Sequence, residues 1–387
     1  MNSDFLPFSR PSINQAAIDE VVACLKSGWI TTGPRVKLFE QALQKYLSAP
    51  YTLVLNSATA GLHLALNSFG IKPGVEVITT PLTFVSTLNA IVHNGAKPVL
   101  VDIDLNTYNI DVNQIKEAIT NRTRVIMPVH FAGIPADLDP IYELADHYGL
   151  RVLEDAAHAI GSFYKGKMIG SFGDTQVFSF HPNKNMTTGE GGCVTTSDEN
   201  TYKNINIMRF HGIDREAWNR NAKQGSQHYD VISPGFKYNM MDIQASLGLH
   251  QLQALESFIE KRTYLAKRYQ QILADWPQWD IPQMPDYDIR HSWYIYAPLI
   301  NPEASGMTRD TFMEKMKQHN IGTGYHYQAV HLYSFYRQKF GFKRGQFPNA
   351  ETVSDRIVSL PLFPDMNEND QDRVIETMQK IFNQGKS

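Results

Sequence analysis

The sequence predicts an α/β fold built around a mostly parallel sheet, on three observations. Between Tyr51 and Thr196, short runs of Val, Ile, Leu and Phe alternate with segments of helical period. Most of these runs are continuously apolar rather than alternating, as strands buried on both faces must be. After Asn239 the pattern changes to one long helical stretch, then to a region richer in Pro and aromatics. Strand–helix alternation places helices on both faces of a parallel sheet, and the change after Asn239 marks a second unit.

In order, strands are expected at Thr52–Leu55, Glu76–Thr79, Pro98–Asp102, Arg124–Val129, Val152–Glu154, Gln176–Phe180 and Gly192–Thr196. Helices fill gaps between them at Thr59–Ser68, Phe84–His93, Asn113–Thr120 and Asp137–Tyr148, the last stopped by Gly149. Met241 to about Ala274 reads as one long helix with Ile243, Leu247, Leu252, Leu255 and Ile259 among its apolar positions. A final amphipathic helix falls near Asn369–Phe382. The expected division is a large α/β domain over 1–250, N-terminal segment included, and a smaller α+β domain over 251–387.

The composition sets bounds on function. The 387 residues are 42% hydrophobic and 19% charged, ordinary for a protein with a large core. Thirty-six Lys and Arg against 39 Asp and Glu leave a net charge of −3, without the basic excess that nucleic acid or an anionic membrane requires. Two cysteines, Cys24 and Cys193, allow neither a disulfide framework nor a Cys-rich zinc site, and no metal is expected. The segment Met1–Pro7 has no signal-peptide pattern, and no apolar run approaches the ~20 residues of a bilayer span. A cytoplasmic protein is the expectation.

In open parallel sheets ligands sit beyond the carboxyl ends of the strands. After the first strand comes Asn56-Ser57-Ala58-Thr59-Ala60-Gly61, opening a helix whose free N–H groups suit a phosphate, or which Ser57 or Thr59 simply caps. After the fifth comes Glu154-Asp155-Ala156-Ala157-His158, with a carboxylate that needs a cation, a strong donor or a capping role. After the sixth comes Phe178-Ser179-Phe180-His181-Pro182-Asn183-Lys184, leading to Gly189-Glu190-Gly191-Gly192. A lysine between an apolar strand and a glycine turn can have its amine depressed by burial and form an imine with a carbonyl. Phosphate cradle, strand-end carboxylate and strand-end lysine together are what pyridoxal 5′-phosphate (PLP) requires.

These residues resemble the DegT/DnrJ/EryC1/StrS family of PLP-dependent nucleotide-sugar aminotransferases. The resemblance extends through Ser27-Gly28-Trp29-Ile30-Thr31-Thr32-Gly33-Pro34, Pro128–Gly133, Gly235-Phe236-Lys237-Tyr238-Asn239 and Gly324-Tyr325-His326-Tyr327, and covers Phe5 to about Phe382. It implies the aspartate-aminotransferase-like (type I) fold, with Lys184 as Schiff-base lysine and proton shuttle. It implies that Asp155 pairs with the pyridine nitrogen, His158 lies beside the ring and Phe84 stacks on it. Ala58, Thr59 and Ser179 are implied to hold the phosphate, with Asn239 reaching over from the second subunit of a homodimer. Trp29, Ile30, Thr31, His326 and Tyr327 match segments bordering the sugar-nucleotide pocket.

The segments Phe5–Pro11 and Ser359–Met366 are most similar to members that aminate UDP-4-keto-pentose to UDP-4-amino-4-deoxy-L-arabinose for lipid A. The implied reaction moves the amino group of L-glutamate, leaving 2-oxoglutarate, onto that 4-keto carbon. The alternative acceptor is a UDP- or dTDP-linked 4-keto-6-deoxyhexose for surface glycan or O-antigen. Three positions depart from the pattern. Ala58 stands where many relatives carry Gly, His158 where many carry Gln, and Phe84 where the arabinose-type members carry Trp. Dehydratases of the family carry His at the lysine position, so Lys184 argues against that chemistry.

Overall fold

The computed structural model describes residues 5–214 and 229–384; Met1–Asp4, read above as part of a segment without a signal peptide, lie outside them. Nine strands of the first part are β1 (Tyr51–Leu55), β2 (Glu76–Thr79), β3 (Lys97–Leu100), β4 (Thr123–Ile126), β5 (Arg151–Asp155), β6 (Phe163–Tyr164), β7 (Lys167–Met168), β8 (Thr175–Ser179) and β9 (Gly192–Thr196). Seven of them form one sheet in the order β1-β9-β8-β5-β4-β2-β3. Its pairings are parallel except that β9 lies antiparallel to both β1 and β8. The expected strands at Pro98–Asp102 and Arg124–Val129 stop earlier, because their last residues leave the ladder; Val129 keeps one bridge to Asp155.

The period-2 pleat explains the continuous apolar runs. Leu53, Leu55, Val177 and Val194 pack on one face with the helix Ala58–Ser68, whereas Val54, Phe178 and Cys193 pack on the other with Phe39, Leu43 and Leu252. Gly61 lets that first helix lie close on the sheet: a Cβ there would sit 2.7 Å from Val177 Cγ1 and 3.0 Å from Val194 Cγ2. A buried polar chain also crosses the sheet. Thr195 Oγ1 donates to Gln176 (2.9 Å), Gln176 Nε2 donates to Glu154 (2.7 Å), and Glu154 also meets Tyr142 (2.7 Å) and His130 Nε2 (2.8 Å). Every member is hydrogen-bonded, which such a low-dielectric network requires.

The sequence pattern did not disclose two helices: Gln15–Lys26, which packs on the long helix Asp242–Leu273, and Pro34–Leu47, which packs on that helix and on β1. The second begins at Pro34, and the buried Asp242 carboxylate accepts from the Val36 (3.0 Å) and Arg35 (3.3 Å) amides of its first turn. Asp242 itself opens the 32-residue helix Asp242–Leu273. That helix packs on the large-sheet core through Ile259 and on a second core from Leu265 onward. The packing partner thus changes inside this one helix, between Ile259 and Leu265.

The second core gathers Trp279, Phe312, Leu360, Met378 and Phe382, closed by the helix Glu368–Gln384. Leu6 packs into it too, and its amide donates to Asn320 O (2.9 Å) while Gly322 N donates to Leu6 O (2.8 Å). At Leu6 the chain start thus pairs with a backbone edge of the C-terminal part. Among the described residues no helix is long and apolar enough to cross a membrane.

Alanine in place of glycine normally strengthens a helix by about 1 kcal/mol. At Gly61 the clash with stiff valines on two central strands is expected to outweigh that gain. Gly61→Ala should lower unfolding stability by about 1–2 kcal/mol in urea titration; an unchanged or raised midpoint would contradict the close packing.

Candidate active site

The carboxyl ends of β1, β5 and β8, with the loop after β2, surround a cavity of about 320 Å³ lined by Ala58, Thr59, Phe84, Asp155, His158, Ser179, Lys184, His326 and Tyr327 among others. Each arrives there for a local reason. Ser57 caps the helix after β1, its Oγ accepting from Ala60 N (3.1 Å), so the free N–H groups of the first turn face the cavity. Ser57 is the cap, and the helix start it creates lines the cavity. A Cβ on Gly192 would lie 2.5 Å from Ala58 N, so glycine is what lets β9 abut the helix start.

Lys184 is presented by a loop pinned on several sides. Phe180 N donates to Gly191 O (2.9 Å) and Thr188 N to Phe180 O (3.0 Å), closing the loop on itself. Gly189, at φ +80°, makes the turn. Met186 is buried in the large core, and Asn185 Nδ2 donates to Ser292 O (2.8 Å). Burial lowers the Lys184 amine to about 7, against the pull of Asp155 in the other direction.

Asp155 ends β5, buried, accepting from Thr87 Oγ1 (2.7 Å) and Ala157 N (3.2 Å). Burial raises its pKa, opposed by those hydrogen bonds and by Lys184. Ala132 N donates to His158 Nδ1 (3.3 Å), which places the ring proton on Nε2, 3.0 Å from Tyr327 Oη. Burial holds His158 well below the usual histidine value, and His326 falls to about 3 for the same reason; both are neutral at pH 7. His326 Nδ1 lies 2.8 Å from Ser359 Oγ. Phe84, 54% exposed, stands at the mouth with its ring 5.8 Å from that of Tyr327.

Trp29, Ile30, Thr31 and Asn239 do not line this cavity. They form a separate cluster: Asn239 Nδ2 donates to Thr32 Oγ1 (2.5 Å), Thr32 Oγ1 donates to Met240 O (2.6 Å), and Asp242 N donates to Thr31 O (3.2 Å). Lys237 Nζ also reaches Asn239 Oδ1 (2.7 Å). Two site features escaped the sequence. Tyr294 lies with its ring centroid 4.0 Å from Lys184 Nζ and stacks on His158 at 4.3 Å. Thr87 supports Asp155; its place in the helix after β2 could have flagged it, but Tyr294 had no local signal. Among the described residues no group of His, Cys, Asp or Glu is placed to hold a metal ion.

The DegT/DnrJ/EryC1/StrS aminotransferase family model matches residues 11–379. The chain belongs to that family. The spore coat polysaccharide biosynthesis protein SpsC of Bacillus subtilis is 46% identical over 378 residues, 97% of each chain. A putative sugar aminotransferase of Streptococcus pneumoniae, Spr1654, superposes in its PMP form with TM-score 0.90 at 34% identity, covering 98% of this chain and 100% of that one. Helicobacter pylori PseC, an aminotransferase involved in pseudaminic acid biosynthesis, superposes with TM-score 0.90 at 30% identity, covering 98% and 100%.

Aminotransferases of this family use PLP, and the cavity suits it. First-turn N–H groups offer a phosphate end, the buried Asp155 carboxylate offers an anion for a ring N–H, and Lys184 offers an amine of lowered basicity. This family member is a PLP-dependent aminotransferase.

The depressed lysine has a stability consequence. The folded chain releases the Lys184 proton at about pH 7 and the unfolded chain near 10.5, so between these the unfolded state binds more protons and stability rises with pH. In cofactor-free protein, Lys184→Met should flatten the rise between pH 7 and 9. The difference is bounded by about 1.4 kcal/mol per pH unit and reduced by solvent at the cavity mouth. Equal slopes in urea titrations of the two proteins would contradict the depressed amine.

Proposed function

We propose that the protein moves the amino group of L-glutamate onto the keto carbon of a nucleotide-linked sugar, in the cytoplasm, with Lys184 as the proton-carrying residue. The observation that carries this reading is the pairing of Lys184 and Asp155 in one cavity at the sheet's carboxyl edge, in a chain of this family. When bound, PLP supplies the sink for the electrons left on the substrate carbon as its proton departs.

The chain's own residues do the rest. Lys184 Nζ, poised at about 7, takes a proton from the amino-acid carbon in one half of the cycle and returns one to the sugar carbon in the other. Asp155, held by Thr87 and Ala157, would supply the counter-charge for a protonated ring nitrogen. His158 and Tyr327 stay neutral in the same cavity, and Phe84 at its mouth would stack on the ring. Ala58, Thr59 and Ser179 are the proposed phosphate contacts.

Asn239 is proposed to act on a partner copy's cavity, and Trp29, Ile30 and Thr31 would travel with it, since Thr32, Met240 and Asp242 tie the two segments together. A homodimer is further supported by Ile18, Val22 and Leu25, exposed at i, i+4 and i+7 on one face of the helix Gln15–Lys26. For the acceptor, a UDP-linked 4-keto-pentose is the reading drawn from the whole-chain resemblance, with Phe5–Pro11 and Ser359–Met366 its more specific pieces. Likeness to a spore coat polysaccharide protein favours the second, a 4-keto-6-deoxyhexose nucleotide for a surface polysaccharide. One methylene-sized group at the sugar C5 separates them, worth only ~1–3 kcal/mol in an apolar pocket.

Converting the enzyme to its amine form with L-glutamate, then offering each keto sugar nucleotide, distinguishes these. Return of the cofactor's aldehyde-form absorbance is expected with one nucleotide sugar; return with plain 2-oxo acids alone would overturn the sugar reading. Lys184→Ala should bind PLP but lose at least ~10²–10⁴-fold in turnover; wild-type turnover would remove Lys184 from its role. Mixing inactive Lys184→Ala with a weakened Asn239→Ala should restore one complete site per mixed dimer. Absence of any regain would place Asn239 in its own chain's site.

A further inference from the structure

The segment after the long helix threads back behind Lys184 and is fixed there at several points. Asn185 Nδ2 holds Ser292 O at 2.8 Å, and Ser292 Oγ donates to His158 O (3.2 Å). Tyr294 N donates to Ala132 O (3.0 Å). Arg262, buried in the long helix, donates to Tyr294 O (3.0 Å) and Leu362 O (2.9 Å). Together these bonds fix the Tyr294 backbone, while His158 stacks on its ring and His326 Nε2 approaches its hydroxyl at 3.5 Å. The Tyr294 side chain is buried, and besides His158 its ring meets the Lys184 amine, 4.0 Å from the centroid.

We propose that Tyr294 is a positioning residue of the reaction, its π face steadying the protonated Lys184 Nζ and so setting the pH at which that amine exchanges its proton. An aromatic face within about 6 Å favours the ammonium through its quadrupole. It acts together with Asp155, which also favours the charged form, and against burial, which opposes it. The other groups around the amine do not substitute for it. His158 and His326 are held neutral by burial, and Tyr327 and Tyr294 keep their phenolic protons because burial raises both. His181 and Glu190 line the outer cavity. Without the ring, Lys184 would be neutral at neutral pH and a poorer donor in the step that returns a proton.

The inference rests on the proposed role of Lys184, and the test separates the two. Competitive acetylation of the full chain without cofactor, read by mass spectrometry of the peptide carrying Lys184 across pH, gives the midpoint of that amine directly. The pH–rate profile of the glutamate half-reaction gives it in the loaded enzyme. Tyr294→Phe keeps the ring and should leave the midpoint close to wild type. Tyr294→Leu should lower it by about half to one pH unit. A fluorinated phenylalanine installed at the same position, of nearly the same shape but with a weakened quadrupole, should lower it likewise with the fold intact. An unmoved midpoint in both the Leu and fluorinated variants would overturn the proposal while leaving Lys184 in its role. A wild-type midpoint near the ordinary 10.5 would overturn that role and this inference with it.

Discussion

An amine and a carboxylate that line one cavity at the carboxyl edge of one sheet are the constraint on which the rest of the site depends. Neither Lys184 nor Asp155 has a strong partner of opposite charge apart from the other among the groups that shift it. Unpaired, either would be expensive to bury. In one partly enclosed cavity, burial lowers the amine and the Asp155 charge opposes it, which leaves the amine near neutrality, where it can both accept and release a proton. The same low dielectric keeps His158 and His326 uncharged, so the field in the cavity comes mainly from that pair.

The scaffold positions the two charges with little freedom. Beneath Asp155, the Thr195–Gln176–Glu154–His130 chain locks β9, β8, β5 and the loop after β4 in one register. The antiparallel β9 matters here, because it brings Gly192 against the helix start at Ala58 and closes the loop that carries Lys184. From the other side, the C-terminal part contributes His326 and Tyr327 to the cavity lining, with Tyr294 against Lys184. Activity is therefore sensitive to the long helix, whose Arg262 joins the Tyr294 and Leu362 backbones.

Much of this was legible in the sequence where the signal was local. Strands buried on both faces show as unbroken apolar runs, and the residues just beyond them are chemically conspicuous: Lys184 between Phe180 and Gly189, Asp155 after Val152-Leu153-Glu154. What escaped was non-local. Tyr294 reads as one more aromatic in an aromatic-rich tail, because its partner lies in a distant loop. The antiparallel sense of β9 leaves no mark on a five-residue strand. The helices Gln15–Lys26 and Pro34–Leu47 have mixed faces, part buried and part exposed, which blur their period; for the first, Ile18, Val22 and Leu25 remain outside. The pairing of Leu6 with the backbone at Asn320–Gly322 is likewise non-local and leaves no mark in the sequence.

The central claim is that Lys184 is the residue joined to the cofactor. Borohydride reduction of the PLP-loaded protein, followed by peptide mapping, fixes the cofactor covalently to whichever lysine carries it. The account predicts a single modified peptide, with the label on Lys184. A label on another lysine, or none after full loading, would contradict it.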